Sequence, residues 1–154
     1  MNARPAWGIA LLRVVLGGIF VMHGYYALGV LGIERTAELM VRIGNPEALS
    51  RPLAWYLVAA HLAGGALLVV GLFTRLAALA HVPIMAAALF LVHWPQGFFM
   101  HGIVVDAAAG RAVAGGSEFA LLVLAATLTI VFTGPGALAL DGLRERRGGR
   151  PWLP

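Results

Sequence analysis

The sequence predicts an all-α integral membrane protein, a bundle of four transmembrane helices with its N and C termini cytoplasmic, and three observations predict it. Hydrophobic residues make up 60% of the chain and charged residues only 12%, with a mean hydropathy of +0.87; soluble globular domains hold about 45–50% apolar residues. Four runs are long and apolar enough to cross the hydrocarbon as helices, which takes about 20 residues each. The arginines fall unevenly on the two sides that those runs define. The 154 residues are read as one transmembrane domain over 1–140 with a short tail over 141–154.

The first run extends from about Ala6 to Ile33, the second from Leu53 to Phe73, the third from Leu76 to Trp94 and the fourth from Phe119 to Leu140. Backbone amides in lipid must be satisfied within their own segment, and these runs lack the alternation of a barrel strand, so they read as helices. Phe73-Thr74-Arg75 alone joins the second and third, which predicts a tight helical hairpin. The first connection, about Glu34 to Pro52, carries three arginines and three glutamates; Leu39, Met40 and Ile43 form a short amphipathic pattern that ends at Gly44-Asn45-Pro46. That pattern predicts a helix lying on the membrane surface. The connection from Pro95 to Ser117 is rich in Gly and Ala and starts with Phe98, Phe99 and Met100, as suits a segment dipping into the interface. The first apolar run, with Arg13 and His23 inside it, is too long for the core of a cleavable signal peptide.

All eleven basic residues are arginine. Arg4, Arg13, Arg75 and the tail residues Arg144, Arg146, Arg147 and Arg150 lie on one side; Arg35, Arg42, Arg51 and Arg111 lie on the other. The richer side is then the cytoplasmic one of a multi-pass membrane protein. Trp7 then marks the inner edge, and Tyr25, Tyr26, Trp55, Tyr56 and Trp94 the outer. The pI near 10.7 reflects a tail that meets anionic headgroups, not a nucleic-acid footprint. The expected partners are the lipid bilayer and a protein partner or second copy within it. With no cysteine, disulfides, thiolate metal sites, thiol relays and covalently attached haem are excluded.

Ionisable groups within the spans are the candidate functional residues, because each costs about 2.5–3.5 kcal/mol to insert and needs a partner or a purpose. They are Arg13 and His23 in the first span, His61 in the second, His81 and His93 in the third, and Glu118 and Asp141 at the two ends of the fourth. Antiparallel threading assigns His23, His61, His93 and Glu118 to one outer layer, one from each helix, with His101 nearby in the loop. Arg13, Arg75, His81 and Asp141 fall in the inner half. On this reading the outer layer is the candidate cofactor-binding cluster, Arg13 pairs with Asp141 as a structural clasp, and His81 is a satisfied core or interface histidine. At 100° per residue, Arg13, Gly17, Phe20 and Gly24 share a stripe of the first helix, and His61 and Gly65 share a face of the second. Gly17, Gly24 and Gly65 are the residues expected to let helices approach closely.

Several readings of the outer layer stand side by side. It is a hydrogen-bonded network that holds the helices together, or a redox site where imidazoles hydrogen-bond a quinone and carry protons, or a metal or bis-histidine haem site. Quinone ranks ahead of haem or metal, since no histidine pair has a decisive ligand spacing, and transport ranks last, since no matched broken helices are present. No nucleophile–base pair, phosphate loop or metalloprotease spacing marks an enzyme acting alone.

The chain resembles the DoxX family of small four-span membrane proteins. The resemblance rests on Arg13-x-x-x-Gly17-x-x-Phe20-x-x-His23-Gly24, on Gly64-Gly65 followed by Gly71-Leu72-Phe73-Thr74-Arg75, on Gly115-Gly116-Ser117-Glu118-Phe119, and on Gly134-Pro135-Gly136 ending in Leu140-Asp141. Two positions depart from the pattern: Ala27 stands where members often carry lysine, and His61 where many carry glutamate. The resemblance implies a four-helix fold and two functional classes. One is a redox-linked or quinone-interacting membrane subunit, as in a thiosulfate:quinone oxidoreductase; the other is a non-catalytic assembly factor or structural subunit of a larger membrane complex.

Overall fold

The computed structural model describes residues 3–100, 103–106 and 111–142. Three helical segments are long and apolar enough to cross a membrane: Arg4–Leu31, Glu47–Val70 and Thr74–Gln96. At ~1.5 Å per residue each exceeds the ~30 Å of hydrocarbon. The first is α1 (Ala3–Tyr25) running on through a π-helical turn, Tyr26–Leu31. The second is α3 (Glu47–Ala59), a π turn (Ala60–Gly64) and α4 (Gly65–Val70). The third is α5 (Thr74–Ala87), a π turn (Ala88–His93) and a 3₁₀ turn (Trp94–Gln96). The amphipathic stretch between the first two forms its own helix, α2 (Ile33–Arg42), which packs on α3 and is tied to it by an Arg51–Glu34 ion pair of 2.9 Å.

Three elements differ from the sequence reading. The second span starts six residues before Leu53, at Glu47, and ends at Val70 and not at Phe73. The fourth helix, α6 (Glu118–Thr133), stops short of Leu140. Its 16 residues span only ~24 Å. Gly134 and Gly136 both adopt positive φ, and Pro135 between them has no N–H to continue the ladder; hydropathy runs on through this break, but the helix cannot. The loop before α6 carries a small antiparallel hairpin, β1 (Ile103–Asp106) with β2 (Arg111–Ala114), in the register Ile103↔Ala114 to Asp106↔Arg111.

Each span buries one narrow face. In the first span that face is Ala10, Arg13, Leu16, Gly17, Phe20, Gly24 and Ala27, at the three- and four-residue steps of a helix. In α6 it is Ala120, Val123, Thr127 and Ile130. Leu16, Phe20, Leu68, Ala77, Ala78, Val123 and Ile130 meet as the common core. The remaining faces expose Leu11, Val15, Met22, Leu76, Leu79, Leu122 and Phe132, an apolar belt suited to contact with lipid. α1 lies against α4, and α5 against α6. Gly17 and Gly65 set the first contact: a Cβ on Gly17 would sit 2.7 Å from the Gly65 carbonyl oxygen, and one on Gly65 2.9 Å from that of Gly17. Such approach lets dispersion act between backbones where no hydrophobic drive exists.

The segment after α6 closes the hairpin end of the bundle. Ala137 N–H donates to the Ala6 carbonyl and Asp141 N–H to that of Gly71, both at 2.9 Å. The Asp141 carboxylate accepts from the N–H groups of Phe73 and Thr74 at 2.8 and 2.9 Å, which caps the start of α5 where free amides and the positive end of the helix dipole favour an anion. Gly71, with φ +71°, ends α4 in the left-handed conformation that this reversal needs.

Candidate functional site

The polar side chains of the bundle sort into a clasp and a cluster. The clasp centres on Arg13, which is 1% exposed. Its guanidinium donates to the carbonyls of Leu68 and Val69 at the end of α4, and to those of Pro135, Ala137 and Leu138 after α6. The expected direct pair with Asp141 is not formed. Both residues instead tie backbone: Arg13 holds carbonyls at the end of α4 and after α6, Asp141 holds the amides at the start of α5, and the 134–141 segment lies between them. A fork of five donors suits carbonyls arriving from two directions.

The cluster is built on three helices around Phe20. The His81 ring from α5 stacks on Phe20 at 3.8 Å between centroids and 15° between planes. His61, in the π turn of the second span, meets Phe20 edge-on at 5.3 Å and His81 at 5.3 Å. His23 of α1 stands 6.3 Å from His61. His81 is fully buried and His61 nearly so, while His23 opens to the lipid side. Glycines seat the rings: a Cβ on Gly64 would lie 2.8 Å from His81 Cε1, and one on Gly24 2.9 Å from His61 Cβ.

All three rings make the same local bond. Nδ1 of His23, His61 and His81 lies 3.0, 3.0 and 2.7 Å from the carbonyl oxygen four residues earlier, on Ile19, Leu57 and Ala77 respectively. The second nitrogen of His81 is buried with no hydrogen-bond partner among the described residues. An unpaired buried polar atom in so apolar an interior is costly, which marks it for functional attention.

The outer layer read from the sequence is therefore redrawn. The structure joins His23 to His61 but adds His81, which depth counted from the span ends assigns to the inner half. His93 and Glu118 stand apart: His93 keeps a buried Nδ1 without a partner, Glu118 accepts a 3.0 Å bond from Met100 N–H, and no hydrogen bond or ring contact links either to the three histidines among the described residues. His101 lies outside the described residues. The signal for His81 was present: His61 stands ten residues before Gly71 and His81 eight after Phe73, so at ~1.5 Å per residue their depths differ by only about 3 Å. Among the described residues no group of three histidines or carboxylates could hold a metal ion.

Two grooves open on the lipid-facing side. One of about 200 Å³ runs between α2, α3 and the third span, lined by Met40, Leu53, Tyr56 and Ile84 among others. The wider, about 520 Å³, lies between the second and third spans over Ala60, Gly64 and Ala77. Gly64 thus faces both this groove and the His81 ring.

Membrane-length apolar helices packed through glycines, with a buried imidazole cluster between them, define a bilayer-embedded helical protein. The DoxX family model matches residues 8–94, and the chain belongs to that family. It is similar to an uncharacterized protein of Haemophilus influenzae, 32% identical over 143 residues and covering 90% of each chain. It is also similar to the "Putative oxidoreductase CatD" of Bacillus subtilis, 30% identical over 141 residues, or 92% of this chain and 90% of that one. No solved structure matches it.

Proposed function

We propose that this protein is a redox-linked subunit of the bacterial inner membrane that binds a quinone-type carrier at His23, His61 and His81. One observation carries the reading: three imidazoles follow one another from the exposed His23, through His61, to a His81 whose outer nitrogen is buried and unpartnered among the described residues. A bundle held only by packing has no use for that nitrogen, and a ligand with polar oxygens does. The oxidoreductase name of the Bacillus subtilis relative agrees. A bound quinone would supply electron transfer; the protein's own part is to hold the ring oxygens through His61 and His81 and to keep water away with Phe20.

In this reading α6 is the fourth span, the termini are cytoplasmic, and α2 rests on the outer surface, as the arginine distribution favours. The test is a preparation in lipid nanodiscs, extracted for small molecules by mass spectrometry and titrated with a short-chain benzoquinone. Recovery of a quinone and saturable binding are the expected results. Absence of both, with a copurifying partner chain, would move the assignment to an assembly subunit.

A further inference from the structure

Resting on the quinone-type reading, we infer that the site takes the reduced, hydroxyl-bearing form of its ligand, a quinol, in preference to the oxidised quinone. The argument is hydrogen-bond polarity. A backbone carbonyl can only accept, so a ring nitrogen bonded to one must carry the proton. Nδ1 of His23, His61 and His81 each lies at 3.0, 3.0 and 2.7 Å from such a carbonyl, one turn earlier in its own helix. The neutral ring then presents a lone pair, not an N–H, at Nε2.

The bond that sets this tautomer belongs to each helix alone, so all three rings share one polarity before any ligand arrives. Among the described residues no carboxylate lies within ion-pair distance of these rings to hold a positive charge on them; the ion pair found is Arg51–Glu34, on the surface. No side-chain donor there bonds any of the three Nε2 atoms, and that of His81 is buried without a partner. The site is therefore a set of acceptors waiting for donors. A quinone offers two carbonyl oxygens, acceptors facing acceptors. Its quinol offers two O–H groups, which match. Leaving a buried acceptor unmatched costs enough to separate the two forms by about ten-fold or more in Kd.

The experiment compares a short-chain benzoquinone with the quinol made from it by two-electron reduction, under anaerobic conditions, on the full chain in nanodiscs. The quinol is expected to bind at least about ten-fold more tightly, and His61→Gln, whose amide offers donor and acceptor alike, to narrow that ratio. Nitrogen NMR of histidine-labelled protein is expected to show Nδ1 protonated and Nε2 bare. Quinone binding as tight as quinol, or a proton found on Nε2, overturns this inference and leaves a quinone-type site standing. Binding of neither form overturns both.

Discussion

Arg13 shows how one side chain can hold an end of a membrane bundle. The turn after α4 and the break after α6 both leave carbonyls with no amide to accept from, and lipid offers none. From the middle of α1 the guanidinium donates to five carbonyls at these two places, that of Leu68 also accepting from the Gly71 N–H. Arg13→Met would keep the volume and strand those carbonyls, each a lost bond in a dry setting. We expect a loss of about 3 kcal/mol or more, read as a lower unfolding midpoint in detergent; Arg13→Lys should fall between, since one ammonium cannot reach both groups of carbonyls. His61 and His81 are buried for a different reason. Their Nδ1 atoms are satisfied within their own helices, so those bonds do not link one helix to the next; the rings meet across helices by packing alone.

Among the elements, the third span carries Pro83 inside α5. Proline removes one amide and its ring crowds the carbonyls of the preceding turn. Tyr56, reaching across from the second span, donates its hydroxyl to the Ala80 carbonyl at 2.6 Å, next to the Leu79 carbonyl that Pro83 leaves without its amide. Tyr56→Phe should cost about 1 kcal/mol, read as a lower unfolding midpoint in detergent; an unchanged midpoint would show that this bond across the two spans adds nothing to stability. The same elements show what hydropathy could and could not reveal. The three long spans and the amphipathic α2 were legible because their signals are long and periodic. The end of α6 was not, because Ala137, Leu138 and Leu140 stay apolar after Gly134-Pro135-Gly136 has ended the helix. The four-residue strands β1 and β2 lie in a Gly- and Ala-rich stretch too short for a period to register. At the site, Gly17, Gly24, Gly65 and the inward face of His61 could be read from helical spacing. His81 could not be joined to His61 while depth was counted from span ends; counting from the Gly71–Phe73 turn brings the two level.

For the whole molecule, the polarity of the bundle ties the structure to the proposed role. The clasp of Arg13 and Asp141 sits at the hairpin end, and α2 with the β1–β2 loop joins the spans at the other. In the orientation proposed above, the hairpin end faces the cytoplasm. Because the chain has no cysteine, single substitutions can report this directly: Glu38→Cys in α2 should react with a membrane-impermeant maleimide on intact cells, and Arg75→Cys at the start of α5 should react only after lysis. The reverse pattern would invert the bundle. The histidines are the point on which the functional account turns, and quinone titration of three proteins in nanodiscs tests it most directly. Wild type and His93→Leu should bind a short-chain benzoquinone–quinol couple alike, while His61→Leu, folded and with an unfolding midpoint close to wild type, should lose at least ten-fold in affinity. Equal binding by His61→Leu and wild type would contradict the account.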